Sequence, residues 1–314
     1  MPTLVEPLRT RRTPLELFDL IAHRPYAFLL DSALDVSGQG NYSYLGCEPA
    51  AVLRCSGQEM ELVAGRERLA WRGDPFEALE YALAAFRSTP LPSVPPFVGG
   101  LVGYFGYDLR DHVERLTRRT PADLPVPDLV VGLYDAVVAH DHESGETYLC
   151  STGYPEREPN SSRRWARQRL HWLRNQFGAV EPLRPLESGQ LLGLSSNFTR
   201  EAYLKAVERA LEYIAAGDIY QVNLSQRFAA PYAADPLLLY YRLREASPAP
   251  FAAFLRYGDL SVLSSSPERF LRINGSHVQT RPIKGTRPRG QTPEEDRRLA
   301  RELWGAPRTR RSWS

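Results

Sequence analysis

With 314 residues and 39 Lys and Arg against 37 Asp and Glu, the chain is about two domains long and large enough to bury a substantial core. The near-even charge leaves no field that would draw it to nucleic acid or to a membrane surface, so a small soluble substrate fits better. Cys47, Cys55 and Cys150 lack CxxC spacing and read as reduced thiols of a cytoplasmic protein; there is neither a signal peptide's apolar stretch nor a run approaching the ~18 apolar residues of a bilayer span.

From Tyr26 to about Cys150 the chain shows short alternating runs separated by turn residues, such as YAFLLDSA, NYSYLGCEP and DLVVGLYDAVVAHDHESGETYLC. This pattern predicts mainly antiparallel strands. Glu77 to Phe86 and Arg163 to Phe177 carry apolar residues at three- and four-residue intervals and read as helices. Gly178 to Gly193, rich in Pro, Gly and Glu, has little periodicity, so the division expected is a first domain over 1–177, a linker over 178–193 and a second domain over 194–307. Residues 308–314 form a short basic tail.

The second domain opens with agreeing helix signals: Thr199 as N-cap, Glu201 in the first turn, Leu204, Val207, Leu211 and Ile214 on one face, and Gly217 just past the end. IYQVNLSQRF then alternates, which predicts a strand with Tyr220, Val222, Leu224 and Phe228 facing a core. Asp235 and Pro236 start another helix, and FAAFLRY, LSVLSSS and the hairpin ERFLRI-NG-SHVQTR follow as strands. With Asn274-Gly275 as a two-residue type I′ loop, Ile273 pairs with Ser276 and Glu268 lies opposite Arg281. The glycines of GGLVGYFG do not follow GxGxxG spacing and read as sites of close strand packing. His140 and His142, two apart without a third ligand, read as an exposed turn rather than a zinc site.

Several segments together resemble the chorismate-utilising enzymes, which include the large subunits of anthranilate synthase and aminodeoxychorismate synthase. They are GDIYQVNLSQRF (217–228), SPAPFAAF (247–254), SSSPERFL (264–271) and RPIKGTRPRG (281–290), with LLDSA (29–33), NYSYLG (41–46) and PFVGGLVGYFGYD (96–108) in the first half. The resemblance implies an α+β fold in which two large mixed or antiparallel sheets pack around a core with helices outside.

Within that family, PIKGT resembles the aminodeoxychorismate branch, which has a lysine where anthranilate and isochorismate synthases typically carry alanine. The resemblance implies that Lys284 attacks C2 of chorismate as the C4 hydroxyl leaves, and that ammonia from a separate glutaminase subunit then adds at C4. The amine must be unprotonated, and burial with Arg281, Arg287 and Arg289 nearby would lower its pKa; the same arginines could equally attract the dicarboxylate. Glu268 matches the family's acid/base carboxylate, while as a lone glutamate it reads as a salt-bridge partner of Arg281. Gln221 stands where water-adding relatives carry a lysine base, which disfavours isochorismate and salicylate synthases. Gly285 and Thr286 complete the expected substrate pocket. By resemblance Ser32, Pro250 and Phe251 line a tryptophan pocket, regulatory or structural, the alternative being plain interdomain core.

The resemblance also implies Mg²⁺ held by glutamates in a part of the family that lies beyond the end of this chain. A histidine-containing strand and a glycine-rich carboxylate loop belong to that part too. After PEEDRRLARELWGAP the sequence RTRRSWS replaces the expected continuation, the kind of switch that a frameshift or premature stop produces, the alternative being a natural extension. The expectation is an inactive chain with uncovered sheet edges and apolar faces in the second domain, poorly soluble or partly unfolded there.

Overall fold

The computed structural model describes residues 3–34, 40–86, 95–116, 124–178, 193–283 and 286–305. Its strands are β1 (Leu4–Pro7), β2 (Phe28–Asp31), β3 (Tyr42–Gly46), β4 (Ala51–Ser56), β5 (Glu59–Ala64), β6 (Glu67–Arg72), β7 (Gly100–Phe105) and β8 (Leu129–Tyr134). They continue with β9 (Ala136–Asp141), β10 (Thr147–Ser151), β11 (Ser195–Ser196), β12 (Phe228–Ala229), β13 (Phe251–Tyr257), β14 (Leu260–Ser266), β15 (Arg269–Asn274) and β16 (His277–Arg281). The α-helices are α1 (Pro14–Asp19), α2 (Pro75–Ala85), α3 (Pro159–Gly178), α4 (Arg200–Ala216), α5 (Pro236–Ala246) and α6 (Pro293–Gly305).

Helix starts follow local chemistry. Thr13 and Glu16 form a capping box, the Glu16 amide donating to Thr13 Oγ1 at 3.3 Å and the Thr13 amide donating to the Glu16 carboxylate at 2.7 Å. Asp74 accepts from the Phe76 and Glu77 amides ahead of α2, and Thr199 accepts from the Ala202 amide at 3.1 Å ahead of α4. Gly217 ends α4 at φ 83°, a left-handed turn that costs glycine little.

Two antiparallel sheets make the main body. One has seven strands in the order β1-β10-β9-β3-β2-β13-β14, the other five in the order β6-β5-β4-β8-β7. Their facing sides share one core: Phe28, Val137, Ala139, Cys150 and Leu255 from the first meet Val52, Val102, Val130 and Tyr134 from the second. Burying each large apolar side chain contributes about 1.5–3 kcal/mol. Two hydroxyls tie the core to backbone, Tyr134 Oη donating to the Tyr26 carbonyl at 2.6 Å and Tyr257 Oη to the Val102 carbonyl at 2.9 Å. Strands β8 and β9 are consecutive yet belong to different sheets, and Asp135 is the buried corner between them. Its carboxylate accepts from Arg169 Nε at 2.9 Å and Trp165 Nε1 at 3.1 Å; burial pushes its pKa up and Arg169 opposes that push. At Gly103 a Cβ would stand 2.0 Å from the Val130 carbonyl, so the glycine permits the close strand approach expected of this run.

The chain divides into two compact units, Met1–Leu183 together with Leu243–Ser314, and Arg184–Arg242. This differs from the division expected at 178–193. The reason is a sheet pairing: β13 lies against β2, Phe28 opposite Leu255 and Asp31 opposite Ala252, which draws the later strands into the first body. Residues 179–192 and the basic tail lie outside the described residues.

The second unit contains α4 and the two-stranded pairing of β11 with β12. Here the strand expected over IYQVNLSQRF is absent except for Phe228. Among the described residues no strand ladder runs along 219–227, although the Asn197 amide donates to the Arg227 carbonyl at 3.1 Å; Tyr220 is fully exposed, and Val222 and Phe228 are exposed as well, since alternation alone does not hold a strand without a neighbouring ladder. Helix α4 keeps its expected bounds but has no buried residue, and Leu204, Leu211 and Ile214 are exposed.

Candidate active site

The hairpin β15–β16 carries Glu268 at its entrance, and its register differs from the expected one by a step. Asn274 pairs with His277, so the loop is Gly275-Ser276. Only Gly275 of the turn residues has positive φ, 59°, as in a II′ turn with glycine first, whereas I′ would demand positive φ at two positions. A register shift between Arg269 and Arg272 then places Arg269, not Glu268, opposite Arg281. The Glu268–Arg281 salt bridge, one of the two readings of Glu268, is accordingly absent among the described residues. Glu268 is exposed, and its backbone is bracketed by Ser266: the Glu268 amide donates to Ser266 Oγ at 3.3 Å and that hydroxyl donates to the Glu268 carbonyl at 3.1 Å.

Lys284 and Gly285 lie outside the described residues. Thr286 is exposed, its carbonyl accepting from Arg287 Nη1 at 3.0 Å. Gln221 is exposed and belongs to the second unit. Positive charge gathers at the hairpin. Burial lowers the pKa of Arg269, and the neighbouring charges of Arg272 and Arg281 add to the effect.

Ser32, Pro250 and Phe251 do come together. Ser32 and Phe251 flank the last pair of the β2–β13 ladder, Asp31 with Ala252, and the buried Pro250 comes just before Phe251. Ser32 Oγ donates to the Tyr42 carbonyl at 2.6 Å and its amide donates to Ser43 Oγ at 3.1 Å. Beneath them Asp31, buried, pairs with Arg244 at 2.5 Å. A separate apolar cavity of about 530 Å³ is lined by Leu30, Tyr44, Phe97, Leu101 and Val131, and Ser32, Pro250 and Phe251 are not among its lining residues.

Two features escaped the sequence reading. One is the Asp31–Arg244 pair, 213 positions apart. The other is Arg269, whose guanidinium lies 5.0 Å from the centroid of the Phe251 ring. Neither leaves a spacing signal, since both follow from the β2–β13 and β13–β14 pairings. His140, expected in an exposed turn, is instead half-buried in β9 with Nδ1 2.9 Å from Thr147 Oγ1, and His142 Nε2 stands 2.8 Å from Ser43 Oγ. Among the described residues no group of three or more His, Cys, Asp or Glu is placed to hold a metal ion. The residues described thus do not fit the magnesium site that the resemblance implies, and no step is derived through it.

Comparison with known proteins gives the same direction throughout. The sequence profile of the chorismate binding enzymes matches residues 31–311. Anthranilate synthase component 1 of Thermus thermophilus is 38% identical over 295 residues, covering 93% of this chain and 61% of that protein. Aminodeoxychorismate synthase component 1 of Klebsiella aerogenes is 35% identical over 294 residues, covering 93% and 62%, and that of Salmonella typhimurium is 36% identical over 288 residues, covering 91% and 60%. The chain therefore spans about 60% of the length of these relatives. Among solved structures, anthranilate synthase component I of Streptococcus pneumoniae superposes with a TM-score of 0.70 at 24% identity, over 89% of this chain and 60% of that one, a likeness of fold. With the sequence profile matched over most of its length, the chain belongs to the chorismate binding enzyme family.

Proposed function

We propose that this chain is part of an aminodeoxychorismate synthase large subunit, which turns chorismate and ammonia into 4-amino-4-deoxychorismate and water. The observation that carries the reading is Lys284 within RPIKGTRPRG. The Lys284 amine forms a bond to C2 of the ring, the double bonds shift, and the C4–O bond breaks. Glu268 supplies the proton with which the hydroxyl departs as water. Ammonia then bonds to C4, the double bonds shift back, and the lysine leaves C2 unchanged. Arg281, Arg287 and Arg289 supply positive charge toward the substrate's two carboxylates, and Thr286 and Gly285 belong to the same pocket. Gln221 in place of a basic residue leaves water poorly activated, which favours nitrogen addition over hydration. Ammonia comes from a glutaminase subunit, as the designation "component 1" of the relatives supports.

Ser32, Pro250 and Phe251 form the tryptophan pocket of this reading. Its support is the likeness of LLDSA and SPAPF to the two segments that form such a pocket in the family.

A second reading, anthranilate formation, is favoured by the 38% identity to the Thermus thermophilus protein. A third, a non-catalytic fragment binding tryptophan or the glutaminase, draws on the exposed apolar faces of α4 and of β15–β16. Incubating the protein, in the length its gene encodes, with chorismate, Mg²⁺ and ammonia separates the three. 4-Amino-4-deoxychorismate supports the first, a fluorescent anthranilate product the second, and no turnover the third. Lys284→Ala is expected to abolish aminodeoxychorismate formation, and an undiminished rate in that variant sinks the covalent route.

A further inference from the structure

We propose that Arg269 is a positioning residue for Glu268, acting through the ring of Phe251; the inference rests on the reading of Glu268 as proton donor. Regular strand pairing does not hold Glu268, because the β15–β16 ladder slips between Arg269 and Arg272 and residue 268 lies before its first pair. Two side chains hold it instead. Ser266 brackets its backbone through one hydroxyl, and Arg269, the next residue, reaches across to the Phe251 ring at 5.0 Å. Phe251 is itself the ladder partner of Ser266. Phe251, Ser266, Glu268 and Arg269 thus form a closed circuit spanning β13, β14 and the entrance to β15.

The arrangement is costly for Arg269, which explains why its contacts matter. Its guanidinium is partly desolvated, faces Arg281 directly across the hairpin and has Arg272 nearby, and like charges directly opposite are unfavourable. It stays in place through the aromatic face and through Nη1 donating to Gln279 Oε1 at 2.9 Å. The circuit leaves the Glu268 side chain out of the holding contacts, so its carboxyl is presented while its backbone is fixed. It also joins two places that the sequence treats separately, since Phe251 belongs to the group proposed above to take tryptophan. Any occupant that turns the Phe251 ring loosens the contact that sets Glu268.

The test is a double-variant cycle. Amide hydrogen exchange over residues 264–272 is measured in the chain and in Arg269→Ala, Phe251→Leu and the combined variant. Each single variant should exchange about two- to fivefold faster there, the combined variant no faster than either, with the β2–β13 ladder unchanged. Unchanged exchange, or effects that add in the combined variant, overturns the proposal. In the protein at its gene-encoded length, Arg269→Ala should lower kcat for amination at unchanged KM, with Arg269→Lys restoring part of it; a fall confined to KM also overturns it. If the unaltered protein yields no aminated product, the reading of the reaction fails by itself, and the exchange cycle alone decides on the circuit.

Discussion

Strand β9 and the hairpin β15–β16 are built from comparable residues and meet different fates. Val137 and Ala139 in β9 are entirely buried, because β3 and β10 flank the strand and the second sheet closes over that face. Phe270, Ile273 and Val278 in the hairpin are 83%, 66% and 61% exposed, and among the described residues the hairpin is a sheet of two strands with no third beside it. Apolar side chains stabilise a strand only when a second layer removes them from water. The difference teaches that alternation specifies a strand's candidate faces, while neighbours decide whether a face becomes core.

The largest effect that would sharpen this contrast is expected at Phe254, fully buried in β13 with its ring 5.6 Å from that of Phe18. Phe254→Ala should lower unfolding stability by about 3–5 kcal/mol in urea titration; a loss below about 1 kcal/mol would show that the sandwich is no better packed than the hairpin. Arg169→Met, which strands the buried Asp135 carboxylate, should cost about 3 kcal/mol by the same measurement. A smaller, pH-dependent effect belongs to Asp19, half-buried at the end of α1, where desolvation and then Glu16 raise its pKa from 3.8 to about 6. Between those values the folded state holds the proton more tightly than the unfolded chain, so stability declines as pH rises through the window. Asp19→Asn should therefore raise stability at pH 8 by about 1 kcal/mol after allowance for solvent screening, and leave it unchanged below the window. The smallest effect is expected in the hairpin: Ile273→Ser should shift the melt by less than about 0.5 kcal/mol. A loss of about 2 kcal/mol there would break the comparison.

Much of the fold was legible because its signals are local. The caps at Thr199 and Gly217, the alternating strands of the first half and the close-packing glycines each answer to chemistry within a few residues. The failures share a cause at longer range. The 219–227 segment alternates, yet among the described residues no strand forms along it. The domain boundary missed β13 because joining β2 is a pairing across more than two hundred positions. The hairpin loop sits one residue later than expected, and Ile273 faces Val278 in place of Ser276, because two turn types accept the same glycine. At the site, motif resemblance singles out Ser32, Pro250 and Phe251 but does not reach Arg269, since an arginine over a ring has no fixed sequence offset.

That long-range pairing bears on how the protein is made. Phe28 cannot reach Leu255 until the ribosome has added 227 further residues. At about 5–20 residues per second the emerging β2 waits roughly 10–45 s for its partner, with one edge unpaired throughout. Such a topology folds slowly and leaves the nascent chain open to aggregation. Yield from the cell should therefore respond more strongly to chaperone supply and growth temperature than the equilibrium stability of the finished protein would indicate.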